Sequence, residues 1–364
     1  MEGPRPLHEH ELGGLIKFLS DHLRPQQGWS IADEYPLAIQ NENLNNVRVI
    51  TDNGNFLSAA VMRPLVIKSP AGLFKAAAIG SVVTNPANRN QGLSRQVMDD
   101  CLKEAAAHGC DFAILWTNLF DFYRKFGFEL AGTEISLDIP SNIKIPEAPE
   151  LRYLQSNRIE ADALLRLYNQ HTTGTIRTAD DIRKFLQIPN SHVYTAWDND
   201  NRLQAYAIEG KGADLEGYIH EWGGGVSKLL PLLKFAVQQR RRPLTLIAPS
   251  HSNNLIRQLT ALGAKEHSGI LGMIKILNPP NFLLKIKKFV RAMGVDDIVL
   301  EPREGNYYLG YRQEIFRTDI EADLVRLIFG PLKASDLKAF DAATAAAFEK
   351  VFPINMWIWG WDSV

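Results

Sequence analysis

The chain has 364 residues, of which 45% are hydrophobic and 22% charged, and a formal net charge of −1. That length exceeds what one hydrophobic core usually supports, so two or three domains are expected. The balanced charge argues against a nucleic-acid surface or a polybasic membrane face, and the composition against bulk disorder. Only Cys101 and Cys110 are available for thiol chemistry, MEGPRPLHEHELGG lacks an apolar signal-like core, and no run of about 18 apolar residues occurs, which together point to a reducing cytoplasm.

Leu12 to Leu23 has a helical apolar pattern, and Val47 to Ile67 reads as two strands about an Asp52-Asn53-Gly54 turn. Ala76 to Val83 is a strong strand. The helix that follows carries Leu93, Val97, Met98, Cys101, Leu102 and Ala105 on one stripe and stops at Gly109. DFAILWT (Asp111 to Thr117) reads as a buried strand, FDFYRKF as a short helix and GFELAGTEISLDI as a returning strand. The prolines of Ser141 to Glu150 mark a linker.

A second αβ run repeats this order. A helix near Ile159 to Tyr168 is followed by strands VYTAWD, LQAYAIEG and GYIHEW. Then come a helix from Val226 to Gln239, strand Leu244 to Pro249, helix NNLIRQLTALG and strand GILGMIKIL. Gln258 to Ala264 stands where Phe122 to Phe128 stood, with Gly263 matching Gly127, which suggests a duplicated unit. After Pro279-Pro280 a third region has helix FLLKIKKFVRAMG, strand-like DIVLE and YYLGYRQEIF, and helix ADLVRLIFG. It ends in FPINMWIWGWDSV, whose indoles at Trp357, Trp359 and Trp361 should dock rather than hang in water.

Asn85 to Ser94, NPANRNQGLS, joins a strand to a helix. A glycine turn at a helix N-terminus gathers unpaired amides and the positive end of the helix dipole at one point, which suits an anion such as a diphosphate. Gly92 admits close backbone approach, Ser94 adds a hydroxyl and Arg89 a charge. The spacing Arg-x-x-Gly-x-Ser is neither the Walker pattern nor the three-glycine dinucleotide fingerprint. Read alone, it fits a solvated turn equally well.

With FYRKFGFELAG downstream, the chain resembles the GNAT superfamily of acyl-CoA N-acyltransferases, whose signature is Arg/Gln-x-x-Gly-x-Gly/Ala between strand and helix, then Tyr-x-x-x-Gly-Phe. Ser94 replaces the usual Gly/Ala. The layout is similar to tandem-GNAT proteins of the enhanced-intracellular-survival type, which end in a sterol-carrier-like domain. The resemblance implies an α/β (α+β) fold of two tandem GNAT units with mixed central sheets plus a small α+β sterol-carrier-like end. Its boundaries would be 1–140 for the catalytic unit, 150–278 for a degenerate second unit and 281–364 for the C-terminal domain.

It further implies acetyl-CoA as co-substrate and no metal. The diphosphate would rest on Arg89, Asn90, Gln91, Gly92, Leu93 and Ser94, and the pantetheine arm along Val82 and Val83. Tyr123, on a short helix beginning near Asn118, would be the general acid; as a residue alone it reads equally as a core aromatic beside Phe122 and Phe126. The carboxylate of Val364 would be the base, against the alternative of a tail packed on its own domain. Trp29, Glu34 and Tyr35 are candidate contacts to an amine acceptor, small molecule or peptide. Homo-oligomers occur among such relatives. Two other readings stay open: a non-catalytic CoA- or lipid-binding protein, and a transferase of longer acyl or aminoacyl groups.

In the second unit Leu259 replaces the tyrosine and the Arg-x-x-Gly-x-Ser spacing is absent, so no CoA site is expected there. Gly223 to Gly225 read as a flexible turn, His220 and Glu221 as neighbours on opposite strand faces, and Arg240 to Arg242 as a solvated charge run.

Overall fold

The computed structural model describes residues 1–337 and 340–364. Chain order begins with β1 (Glu2–Pro6), α1 (Leu12–Leu23), α2 (Ile31–Glu34), β2 (Val47–Asp52), β3 (Asn55–Ser69), β4 (Gly72–Thr84), α3 (Leu93–Ala107), β5 (Phe112–Leu115), α4 (Phe120–Arg124) and β6 (Glu129–Ala131). The β2–β3 hairpin turns on Asn53 and Gly54, both with positive φ, as the turn residues require. The helical stripe read on α1 turns Leu15, Phe18 and Leu19 into the core. That on α3 buries Leu93, Val97, Met98, Cys101 and Ala105.

The second run contains β7 (Glu134–Ile139), β8 (Arg152–Gln155), α5 (Ala161–Tyr168), β9 (Gly174–Thr175), α6 (Ala179–Phe185), β10 (His192–Trp197), β11 (Leu203–Lys211) and β12 (Asp214–Gly224). It continues through α7 (Val226–Arg240), β13 (Leu244–Pro249), α8 (Asn253–Ala261), β14 (Lys265–Gly269) and β15 (Gly272–Ile276). The first sheet has the order β1-β2-β3-β4-β5-β15-β6, with β9 also on β3, and the second has β14-β7-β13-β12-β11-β10-β8. Both are mixed α/β sheets with a GNAT-like arrangement.

One apolar run read as a single strand divides, and another is preceded by a strand that the sequence did not mark. GFELAGTEISLDI breaks at Gly132 (φ 79°), leaving β6 on the first sheet and sending β7 to the second. GILGMIKIL forms β15, which inserts between β5 and β6 of the first sheet, while the exposed KEHSG segment just before it pairs as β14 on the second. Each sheet therefore contains a strand that follows the other's helices in sequence. A periodicity of two marks a strand without saying which sheet receives it.

The C-terminal region comprises α9 (Pro279–Ala292), β16 (Ile298–Arg303), β17 (Asn306–Tyr311), β18 (Glu314–Thr318), α10 (Glu321–Phe329), α11 (Ala334–Leu337) and α12 (Ala342–Val351). Its three strands form a separate antiparallel sheet, with YYLGYRQEIF folding as the β17–β18 hairpin rather than one strand. Phe282 and Phe329 pack with Phe112 of the first sheet, at centroid distances of 6.4 and 5.3 Å. Lys285 binds the buried Asp111 at 2.6 Å. The last thirteen residues then leave this region. Trp357, Trp359 and Trp361 are at most 2% exposed. Trp359 donates to the Thr173 carbonyl and lies against His171 and Trp222, while Trp361 stacks on Phe185. Of the two fates open to the tail, it takes the one that carries it away from its own domain.

Candidate functional site

The site begins where β4 parts from β5. Their parallel pairing lasts three residues, Ala76 to Ala78 against Phe112 to Ile114, and then β5 ends while β4 runs on to Thr84. A register shift between Ala59 and Val61 on β3, opposite Ser81 (φ 49°), twists β4 further out of plane. The resulting splay opens two connected cavities, which share Leu23, Val82, Leu119 and Tyr123 in their walls.

The outer one, about 680 Å³, is bounded by Val82, Val83 and the turn before α3. Asn90 (φ 62°) and Gly92 (φ 75°) both take left-handed backbone conformations there, so successive amides curl toward one point. The first helical bond is made by the Gln96 amide to the Gly92 carbonyl, so the amides of 93–95 precede it. A β-carbon at Gly92 would meet nothing within 4 Å. Arg89 is exposed beside the turn and makes no ion pair among the described residues. These features fit a diphosphate. Arg89, Asn90, Gly92 and Ser94 border the cavity, whereas the Leu93 side chain is buried in the core and Gln91 is exposed outside the cavity wall.

The inner cavity, about 610 Å³, lies between the two sheets and includes Gly80, Trp116, Glu134, Asp214, His220 and Val364 in its lining. Tyr123 stands at the junction. Its ring is packed edge-on to Phe122 (5.0 Å) and Phe128 (6.2 Å), so it is a core aromatic, yet it borders both cavities. Burial pushes its hydroxyl up to about 12, so it keeps its proton throughout the neutral range. Asn118 is exposed and borders neither cavity, because α4 begins two residues later and its start is turned by Leu119.

The C-terminus enters the inner cavity from the second sheet. A β-carbon on Gly80 would collide with the carboxyl group of Val364, so only glycine leaves room for the chain end. Asp362, fully buried, accepts from Arg177 at 2.6 and 2.9 Å and from the Thr175 hydroxyl. Lys211 donates to the carbonyls of Gly360 (3.0 Å) and Ser363 (2.6 Å). Burial lowers this lysine to about 7. No sequence pattern marked Lys211, Arg177 or Asp362, since their partners are 149 or more residues away, except for Glu221, 44 residues from Arg177.

Among the proposed acceptor contacts, only Tyr35 borders the inner cavity, where its hydroxyl donates to Asp214 beside Arg24. Glu34 is fully buried and accepts from Arg24 (2.7 Å), the Trp29 indole (2.6 Å) and the Ala213 amide (3.0 Å), so neither Glu34 nor Trp29 is free for an amine. The Ser30-capped helix α2 turns these side chains behind Tyr35. His220 faces the cavity and donates from Nε2 to the Gly210 carbonyl (3.0 Å), while Glu221 turns to Arg177 on the other face, as strand alternation requires. Burial drives His220 down to about 3, so it is neutral.

Two readings of the second unit are corrected. Gly223 and Gly224 belong to β12, and a β-carbon at Gly223 would strike the Tyr206 ring. Arg240 and Arg242 are not a free charge run, because both hold the buried Glu209.

Among the described residues no helix is long and apolar enough to cross a membrane, and no group of three or more His, Cys, Asp or Glu is placed to hold a metal ion. No curated protein matches the chain. Solved structures do. A conserved protein of Enterococcus faecalis superposes with TM-score 0.66 at 14% identity, covering 98% of this chain and 97% of that one. A GCN5-related N-acetyltransferase of Anabaena variabilis gives 0.66 at 16%, covering 97% and 98%. Eis1 of Mycobacterium abscessus gives 0.58 at 13%, covering 97% of each. At such identities the likeness is one of fold. Residues 5–131, which carry the splay, the Asn85–Ser94 turn and Tyr123, match the family model described as acetyltransferase (GNAT) domain.

Proposed function

We propose that this protein is an acetyl-CoA-dependent N-acetyltransferase acting on a primary amine. The observation that carries the reading is the place of Tyr123, between the amide-lined turn and the cavity that receives the chain end. Bound acetyl-CoA would supply the thioester as acyl donor. The turn from Arg89 to Ser94 binds its diphosphate through backbone amides and the helix dipole, and Val82 and Val83 offer the strand edge along which its arm lies. Tyr123, protonated at neutral pH, holds the proton that a departing thiolate needs. A free amine is protonated at pH 7 and must lose that proton before it attacks, so a base is required. The carboxylate of Val364 is that base, and a sterol-carrier-like C-terminal domain serves to deliver it.

Calorimetric titration of acetyl-CoA into the intact protein and into Gly92→Trp tests the cofactor site. Thiol release with a panel of polyamines and aminoglycosides, from the full chain and from one lacking Val364, tests the base. Binding that disappears in Gly92→Trp, and turnover that disappears without Val364, are expected. An intact protein that does not bind acetyl-CoA sinks the reading.

A further inference from the structure

The end of the chain is held by one charged side chain from the other sheet. Lys211 closes β11 and is 2% exposed. Its ammonium donates to the Gly360 carbonyl (3.0 Å), the Ser363 carbonyl (2.6 Å) and the Ser363 hydroxyl (3.0 Å). An ammonium has three protons, and all three are directed to the last turn of the polypeptide. The Tyr35 ring lies 4.6 Å away. Burying a cation among neutral carbonyls is costly, and a residue needed only for packing would be apolar. The flanking contacts are equally specific. Asp362 is locked by Arg177, and the Ser363 hydroxyl closes onto the Gly360 carbonyl at 2.7 Å. The next group along the chain is the Val364 carboxyl, seated against the bare Cα of Gly80.

We infer that Lys211 is a positioning residue for the C-terminal carboxylate. By fixing the Ser363 carbonyl it sets the peptide plane before Val364, and so aims the carboxylate from the second sheet into the cavity of the first. The second unit, with Leu259 in place of the tyrosine and no phosphate turn of its own, then works as the holder of the first unit's base. The inference rests on the reading of Val364 as that base.

Four full-fold proteins test it: the intact chain, Lys211→Met, the chain lacking Val364, and the two changes combined. In the first readout, carboxypeptidase Y is added and intact mass followed. Lys211→Met should lose Val364 at least roughly tenfold faster than the intact chain, since cleavage follows the population of the released tail. In the second, thiol release from acetyl-CoA with spermidine should fall by roughly 10²-fold in Lys211→Met, the scale of a misplaced catalytic group, with acetyl-CoA affinity unchanged. Adding Lys211→Met to the chain without Val364 should lower turnover no further, because both changes remove one function. Val364 staying protected in Lys211→Met overturns the inference, as does an equal additional loss in the shortened chain. If removing Val364 leaves turnover intact, the base assignment fails instead, and the protease readout still decides whether Lys211 holds the tail. Should Lys211→Met not fold, Lys211→Gln is measured the same way.

Discussion

The two sheets differ in what fills the same opening. In the first, β4 separates from β5 after three paired residues, and the gap becomes a cavity edged by Tyr123. In the second, β12 separates from β13 after two, Tyr218 and Ile219. There the Trp222 indole crosses to the Ile247 carbonyl at 3.1 Å, and Trp359 of the tail packs on it with centroids 5.2 Å apart. At the head of α3 the backbone turns left-handed at Gly92, whereas Gly225, before α7, is extended. Leu259, the counterpart of Tyr123, is fully buried. One scaffold thus leaves a cavity where its splay stays open, and a seat for the polypeptide's own end where indoles close it.

The sharpest way to break this contrast is at the tyrosine. Tyr123→Phe should lower kcat by roughly 10²–10⁴, the usual worth of a positioned proton donor, with acetyl-CoA affinity unchanged. Leu259→Tyr should restore nothing and should destabilise the second unit, since it buries a phenol in an apolar core. A Tyr123→Phe enzyme with wild-type kcat would remove the acid role.

Next in size is the pin between the sheets. Arg177 is wholly buried against Glu221 (2.6 and 2.8 Å) and Asp362, so Arg177→Gln strands two carboxylates and should cost about 3–5 kcal/mol in urea denaturation. A loss below about 1 kcal/mol would mean that water reaches the pair and that the tail is not gripped there. Gly92→Trp comes third: it should weaken acetyl-CoA binding at least about tenfold by calorimetry, while φ 75° adds only about 1 kcal/mol of strain to an otherwise open position.

Much of this contrast was legible in the sequence, for identifiable reasons. The glycine turn before α3 and the short helix of Tyr123 follow from local spacing, as do α1, α3 and the β2–β3 hairpin, because each is decided by residues within one or two turns. The docking of the tryptophan tail also followed from composition. The exchange of β7 and β15 did not, since which sheet accepts an apolar strand depends on partners more than a hundred residues away, such as Pro249 for Glu134. No local pattern marked Lys211, and Glu34 read as a contact for the amine acceptor. Both are buried, and only the folded chain brings Ser363 to the one and Arg24 to the other.

Glu134 gives an effect that depends on pH, and one with a defined sign. It stands at the crossing between the sheets, where β7 leaves the first for the second, and lines the inner cavity with the Ser136 hydroxyl 3.5 Å away as its one hydrogen-bond partner among the described residues. Burial raises its carboxyl from 4.5 to about 7. Between those values the folded protein keeps a proton that the unfolded chain releases, so stability falls as pH rises through this window, and the full penalty stands above pH 7. Glu134→Gln carries no such charge. The variant should match the wild type near pH 4.5 and become the more stable of the two by pH 8, a divergence that thermal midpoints across the range would read directly. Parallel curves would mean that the carboxylate is solvated, and that the cavity between the two sheets is wetter at its Glu134 end than at the end that receives Val364.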